Sequence, residues 1–489
     1  MAEAGDVFIG GDWAAGHGTI FESHNPLDGT VVWRGQAADA AQVHQAVAAA
    51  KAAFGGWAGL STGQRTDFLA GFTGLLERHR AALATAISVE TGKPHWEAQA
   101  EIAAMQAKFT IACRAYAVRR AQSRIELPDA TGHTRFRPHG VIAVLGPFNM
   151  PGHLPHGHIV PALLAGNTIV FKPSELTPGV GRWLAELWQK AQLPPGVFNL
   201  IQGDERVGQA LGNESDLDGL LFTGSFRAGV ALAKASVACP QRIVALEMGG
   251  NNPLVIWEAA DVKAAVLTTI VSAFITAGQR CSCARRLVLP RDGAGDFVVE
   301  ELIRATRQLR IGAHHLRPEP FMGPLITRAA ALRVLEAQRA MVAGGGSALL
   351  LAQARPESPT LLTPGIVDVT AMAERGDEEI FGPLLQVVRV ADFETAMVEA
   401  GRTRYGLSAA ILTDRRDLYQ VFRERSKAGV INWNRPTTGA SSELPFGGTG
   451  HSGNHRPAGY YSADYCDYPV ASLESDKLRS SWLPPGINQ

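Results

Sequence analysis

The chain has 489 residues, 46 Lys+Arg against 46 Asp+Glu, and is 46% hydrophobic, 19% charged and 7% aromatic. That length exceeds what one hydrophobic core organises and points to about two or three domains. Zero net charge gives no electrostatic case for nucleic acid or an anionic membrane as partner, and the composition excludes disorder.

Met1 to Gly10 has neither a basic n-region nor an apolar h-region, and no apolar run approaches the ~18 residues of a bilayer span, so the cytoplasm is the expected compartment. Five cysteines, Cys113, Cys239, Cys281, Cys283 and Cys466, form no Cys-x-x-Cys pair. Neither a disulfide framework nor a metal site is expected, and at least one thiol is left for chemistry.

From Ala37 to Arg120 apolar residues recur at helical spacing, as in Val43, Val47, Ala50 and Phe54, and helices are expected there. Arg124 to Phe136 alternates apolar and polar residues about a Pro128-Asp129 turn signal and reads as an arm suited to pairing with another subunit. Gly140 to Leu254 then alternates short apolar runs (Val141 to Leu145, Thr168 to Lys172, Val197 to Ile201, Gly219 to Thr223) with helical stretches. Continuous apolar strands separated by helices predict a doubly wound α/β sheet covered on both faces.

Three of those strand ends carry residues with chemical capacity. Asn149, held between two prolines after Leu145, is a turn asparagine or a rigid oxyanion donor. Lys172 and Glu175 end the next strand; they are a solvated pair or a clamp for the two ribose hydroxyls of adenosine. Thr223-Gly224-Ser225, with Gly229 beyond, opens a helix whose free N–H groups suit a pyrophosphate, although a plain turn uses the same residues. Glu247, between Leu246 and Met248, gains a raised pKa and base character if buried, and is an ordinary surface carboxylate if not.

A second α/β unit starts after Pro253, with a helix opening near Asp261, the strand Arg286 to Leu289, and helix and strand alternating to about Asn434. Cys281 lies in Thr276-Ala-Gly-Gln-Arg-Cys-Ser-Cys283. Most lone cysteines are small buried hydrophobes, but Gly278 permits close approach of a ligand and Arg280 favours thiolate over thiol. Cys283 reads as a packing residue. Gly448-Thr-Gly-His-Ser-Gly453 matches a dinucleotide fingerprint by spacing alone; it follows no apolar strand and reads as a Gly-rich loop. The tail after Tyr460 reads as irregular and Pro-containing.

Taken in order, Pro147-Phe-Asn149, Gly166 to Glu175, Phe222-Thr-Gly-Ser225, Leu246-Glu-Met-Gly-Gly250, Gly278-Gln-Arg-Cys281, Glu379-Ile-Phe-Gly-Pro383 and Pro445-Phe-Gly-Gly448 closely resemble the aldehyde dehydrogenase superfamily over nearly the whole chain. The resemblance implies an α/β fold of two doubly wound domains plus a small β oligomerisation arm. Its expected divisions are 1–121 and 140–247 for NAD binding, 248–445 for catalysis, and 122–139 with 446–489 for the arm and tail. It further implies Cys281 as nucleophile, Glu247 as base and Asn149 as oxyanion donor. Phe148, Lys172, Glu175, Gly224, Ser225, Gly229, Glu379 and Phe381 are implied at the cofactor. Glu175 repels a 2′-phosphate, which favours NAD over NADP.

The chain departs from the family pattern in Phe148, where Trp is frequent, and in Asn251-Asn252, where a Lys commonly follows the double glycine. That second departure, with Gly152 to His158, Cys281 to Arg286, Asn432-Trp-Asn434 and Ser452 to Pro457, resembles the branch that oxidises a succinylated semialdehyde in bacterial arginine catabolism. Such a polyanionic aldehyde needs cationic or donor groups, for which His153, His156, Arg435 and Arg456 are the candidates, against a reading of each as surface charge. Another small semialdehyde, succinic or glutamic, is the alternative substrate, and a non-catalytic cofactor-binding protein is the alternative class. A homodimer or homotetramer is implied.

Overall fold

In a computed structural model, residues 6–478 and Gly486 are described; 1–5 of the expected first segment and 479–485 and 487–489 of the expected tail lie outside the described residues. The Ala-rich region is four helices, Ala40–Ala58, Thr62–Arg78, Arg80–Thr91 and His95–Arg119. Reciprocal side-chain caps, Asp39 with Gln42 and Ser61 with Gln64, set where the first two begin.

A seven-stranded sheet runs in the order Ile243–Glu247, Gly219–Thr223, Val141–Leu145, Thr168–Lys172, Phe198–Leu200, Val7–Ile9, Asp12–Ala14. The first five are parallel and the two N-terminal strands close one edge antiparallel. Helices cover both faces. One core contains Phe72, Ile102, Leu163 and Leu184, and the other contains Val43, Val47, Leu211 and Leu232. Leu145 pairs with Lys172 and Thr223 with Glu247, so the chemically capable strand ends share one edge, where open α/β sheets bind ligands.

A second seven-stranded sheet follows the order Ser347–Leu350, Gly365–Asp368, Leu384–Val390, Ala284–Pro290, Asn252–Ile256, Ser408–Leu412, Val430–Trp433, with only the first strand antiparallel. Its two faces carry separate cores, one around Val266, Ile270 and Leu302 and the other around Val334, Met397 and Phe422.

The expectation of an irregular tail is corrected. After the short helix Tyr460–Tyr465, Asp467–Glu474 is an eight-residue strand paired antiparallel with Thr131–Pro138, which in turn pairs with Ser123–Glu126. Pro469 disguises the strand in the sequence; it is tolerated because Asp467–Glu474 lies at the sheet edge. The arm and the tail thus pair with each other within one chain. Before reaching the arm, the chain folds Thr449–Gly450 onto Tyr405–Gly406 and sets Gly453 beside Glu247. No described helix is long and apolar enough to cross a membrane.

Candidate active site

One cavity of about 1550 Å³ is lined by the carboxyl ends of the first sheet and by the Cys281 loop. Cys281, Glu247 and Asn149, from three distant stretches of chain, all line it.

The loop bearing Cys281 leaves the helix Val262–Phe274 through three consecutive residues with left-handed backbone, Thr276, Ala277 and Gly278 at φ of 56°, 53° and 70°. Thr276 and Ala277 are non-glycine residues in a sparsely populated region, so surrounding structure must hold them there. Buried Arg285 supplies part of that hold, donating to the Gly278 carbonyl at 2.7 Å and the Arg280 carbonyl at 3.0 Å. Gln279 accepts the Ile326 N–H at 3.0 Å. At Gly278 a Cβ would come within 2.2 Å of the Gly382 carbonyl, so the close approach serves backbone packing.

The expected activation of the thiol by Arg280 is corrected. Arg280 donates to Glu97 at 2.9 Å and to the Thr276 hydroxyl at 2.7 Å, so its guanidinium is engaged by those partners, and Arg285 is the cation that acts on the sulfur. Burial, reinforced by Glu379 and Glu247, pushes the Cys281 thiol up to about 12, and Arg285 opposes that rise. Cys283 is fully buried with its sulfur 3.8 Å from the Ile275 carbonyl, as a packing residue would be.

Asn149 donates one amide N–H to the Gln279 carbonyl at 2.8 Å, which fixes its side chain against the Cys281 loop and leaves the second N–H for an oxyanion. Its own carbonyl accepts from Lys93 at 2.6 Å; Lys93 pairs at 2.6 Å with buried Glu101, which accepts the N–H groups of Gly152 and His153. Glu247 ends its strand with one oxygen accepting the Ala458 N–H at 3.3 Å and the other buried without a partner among the described residues. Burial raises its pKa well above the ordinary carboxylate value. The Gly448–Gly453 loop braces this strand end: Ser452 accepts the Met248 N–H at 2.9 Å and donates to the Gly249 carbonyl at 2.7 Å.

At the other end of the cavity, buried Lys172 donates, among the described residues, only to the Pro173 carbonyl, at 3.0 Å, and lies 3.9 Å from Glu175. An ammonium carries three donors, so two remain, and with the Glu175 carboxylate they fit a vicinal diol. Ser225 caps the helix Phe226–Ser236 by accepting the Ala228 N–H at 3.3 Å, and the preceding N–H groups of that first turn suit an anion. Gly224 and Ser225 line the cavity. Gly229 does not; a Cβ there would stand 2.4 Å from the Met248 sulfur, so this glycine lets the helix approach the strand end, and its expected ligand contact is corrected.

Glu379 accepts the Gly250 N–H at 3.0 Å and lies 3.8 Å from Arg285. A Cβ at Gly249 would fall 1.8 Å from its carboxylate, so only glycine fits beside it. Phe381 and Phe148 line the cavity and meet edge to face at 5.9 Å. These features accommodate a dinucleotide along the edge of the sheet.

Of the four candidates for holding the substrate, His153 lines the cavity, and its Nδ1 is buried without a partner among the described residues. His156 is corrected to a core residue. It points to the back of its helix and stacks on Phe72 at 5.2 Å, whereas His153, Leu154, Gly157 and His158 face the cavity. Arg435 and Arg456 are exposed and outside the cavity lining, and Arg456 donates to the His455 carbonyl at 3.2 Å. Those three readings fail because the direction a side chain takes relative to the cavity is set by how its segment packs against others far away in sequence.

The aldehyde dehydrogenase family model matches residues 13–468. The chain belongs to the aldehyde dehydrogenase family. It is 51% identical over 483 residues to the N-succinylglutamate 5-semialdehyde dehydrogenase of Escherichia coli (strain ATCC 8739), covering 99% of this chain and 98% of that protein. Among solved structures, PnpE in complex with nicotinamide adenine dinucleotide is 30% identical with a TM-score of 0.91, covering 97% of this chain and 98% of the other. An E. coli NADP dependent enzyme is 29% identical with a TM-score of 0.90, covering 96% and 97%.

In this aldehyde dehydrogenase the sequence reading missed several residues that hold the site. Arg285, Asn252, Lys93 and Glu101 all act on the backbone of the Cys281 or Asn149 loops. The Asn251-Asn252 departure was the one available signal. Its consequence is structural: Asn252 donates to the carbonyls of Cys281 and Cys283, and Asn251 donates to Asp377 at 2.8 Å.

Proposed function

We propose that this aldehyde dehydrogenase oxidises N-succinyl-L-glutamate 5-semialdehyde to N-succinyl-L-glutamate with NAD, in arginine catabolism. The name of the E. coli relative supports the substrate, and the half-exposed Glu175 beside Lys172 supports NAD over NADP by repelling a 2′-phosphate. The observation that carries the reading is that Cys281, Glu247 and Asn149 face a single cavity whose far end offers Lys172, Glu175 and a free helix start.

The Cys281 thiol gives up its proton to water in the cavity as its sulfur adds to the aldehyde carbon; the carbonyl π electrons move to oxygen, and the resulting oxyanion is held by the free Asn149 N–H and the backbone at Cys281. A bound NAD would supply the hydride acceptor for that carbon. Glu247, by its unpartnered oxygen, takes a proton from the water that attacks the thioester, and the carboxylic acid leaves with the sulfur restored. Glu379 and Phe381 would hold the nicotinamide ribose, Phe148 would line the same end of the site, and Gly224 and Ser225 would hold the pyrophosphate.

Residues 1–121 and 140–247 form the NAD-binding domain, 248–445 the catalytic domain, and 122–139 with 446–489 the arm and tail. Exposed Ile125 and Leu473 on the arm sheet, with Leu127 in its turn, support its use between copies in a homodimer or homotetramer. The working compartment is the cytoplasm, and a soluble metabolite as substrate supports that assignment.

A panel of aldehydes read by nicotinamide absorbance with each cofactor tests the proposal. The highest kcat/KM is expected for N-succinylglutamate semialdehyde with NAD. A higher value for succinic or glutamic semialdehyde overturns the substrate, and a strong preference for NADP overturns the cofactor.

A further inference from the structure

Away from the sulfur, one wall of the cavity is a single face of the helix His95–Arg119, running from Glu97 through Glu101 and Ala104 to Lys108. Three carboxylates at or facing this wall each have a cationic partner. Glu97 is paired with Arg280, Glu101 with Lys93, and Glu443, across the cavity, with Arg114. Lys108 alone has no carboxylate: among the described residues its ammonium has a single hydrogen-bond acceptor, the Ser442 hydroxyl at 3.0 Å.

Lys108 is only 3% exposed. Burial without a counter-charge lowers its ammonium to about 8, with no carboxylate opposing the shift. Its tip lies against Gly157, where a Cβ would stand 3.7 Å from Nζ, one helical turn beyond His153 on the facing wall. His153 is neutral there, since burial and the nearby Lys108 hold its pKa well below the ordinary value. A buried ammonium with unfilled donors costs free energy that an incoming anion recovers. Lys108, Ser442 and His153 all line the cavity shared with Cys281.

We infer that Lys108, assisted by Ser442, is the specificity-determining anchor for a carboxylate of the aldehyde substrate remote from the reacting carbon. The inference rests on the proposed oxidation of a carboxylate-bearing semialdehyde, and it replaces Arg435 and Arg456 as the cationic contribution. Lys108 supplies the charge and Ser442 fixes the ammonium's position. His153 completes the polar wall without adding charge.

Lys108→Met keeps the length of the side chain and removes the ammonium. The expected result is a fall of about tenfold or more in the ratio of kcat/KM for succinic semialdehyde over uncharged butanal, carried by KM, as loss of a charge-assisted hydrogen bond predicts. Calorimetric titration of the nucleotide-free enzyme with N-succinylglutamate reads the same loss without turnover. Lys108→Arg should restore part of the ratio, and Ser442→Ala should lower it less. Thermal unfolding of Lys108→Met at or above the wild-type midpoint establishes that the fold is retained; were it lower, Lys108→Gln replaces it in both measurements. An unchanged charged-to-uncharged ratio, or unchanged affinity for N-succinylglutamate, overturns the inference. If the wild type instead prefers succinic semialdehyde to N-succinylglutamate semialdehyde, the substrate reading falls, while the charged-to-uncharged contrast at Lys108 still decides this one.

Discussion

The Asn252 side-chain amide donates to the Cys281 carbonyl at 2.7 Å and to the Cys283 carbonyl at 2.9 Å, while its oxygen accepts the Ser408 N–H at 2.9 Å. One side chain thereby ties the loop of the candidate nucleophile to a central strand of the second sheet. Asn252→Ala leaves three buried backbone groups short of a partner, at about 1–3 kcal/mol for each that water cannot reach. Denaturant unfolding should register a loss of about 2–4 kcal/mol, and the pre-steady-state burst should slow because the sulfur is no longer held. A variant with wild-type stability and burst rate would refute this role.

Cys281→Ser should still bind cofactor and lose the burst of reduced nicotinamide. Glu247→Gln should keep the burst while steady turnover falls by about 10²–10⁴, since acylation does not need the activated water. Because burial raises the Glu247 pKa, deacylation in the wild type should climb with pH as that carboxyl ionises, and the climb should vanish in Glu247→Gln. Stopped-flow absorbance across pH separates the phases; equal loss of both in Glu247→Gln contradicts the division of roles.

Glu379 and Glu247 both raise the Cys281 thiol pKa, Glu379 more strongly. Replacing either with Gln should leave more thiolate at mildly alkaline pH and speed alkylation by iodoacetamide severalfold, with the larger effect from Glu379→Gln. Unchanged or slower alkylation would show that these carboxylates do not reach the sulfur electrostatically.

Lys93→Met removes the partner of buried Glu101 and the donor to the Asn149 carbonyl. Breaking a buried pair from one side costs about 3–5 kcal/mol, and a displaced Asn149 should lower kcat with little change in cofactor affinity. Equilibrium unfolding together with fluorescence titration of the nucleotide checks both parts.

Burial holds His156 at about 3, so the folded protein keeps it neutral where the unfolded chain, near 6.5, takes up a proton. Its contribution to stability is complete above pH 6.5 and is lost as pH falls toward 3. His156→Phe keeps a ring against Phe72 and removes that titration. The stability difference in favour of the variant should grow by about 1.4 kcal/mol for each pH unit below ~6.5. Urea midpoints at several pH values measure it, and a pH-independent difference would show that His156 is already charged in the folded state.

The strands Val141–Leu145, Thr168–Lys172 and Gly219–Thr223 were legible because they are short continuous apolar runs, and all three are buried throughout. Residues of the N-terminal strands Val7–Ile9 and Asp12–Ala14 were not, since three residues carry no period to detect and their pairing partners are remote. Asp467–Glu474 was hidden by Pro469, whose edge position is known only once the sheet is assembled.

The amino-acid sequence by itself determined the alternation of strands and helices in the two α/β units and the residue types able to attack, accept a proton or donate to an oxyanion, because apolar periodicity and local motifs are properties of neighbouring residues. The tertiary structure alone decided which charges are available. It gave Arg280 to Glu97, buried His156 against Phe72, placed Asn252 under the Cys281 loop and left Lys108 without a carboxylate among the described residues. Each outcome depends on a partner delivered by a distant segment, and whether a buried charge is neutralised follows from packing.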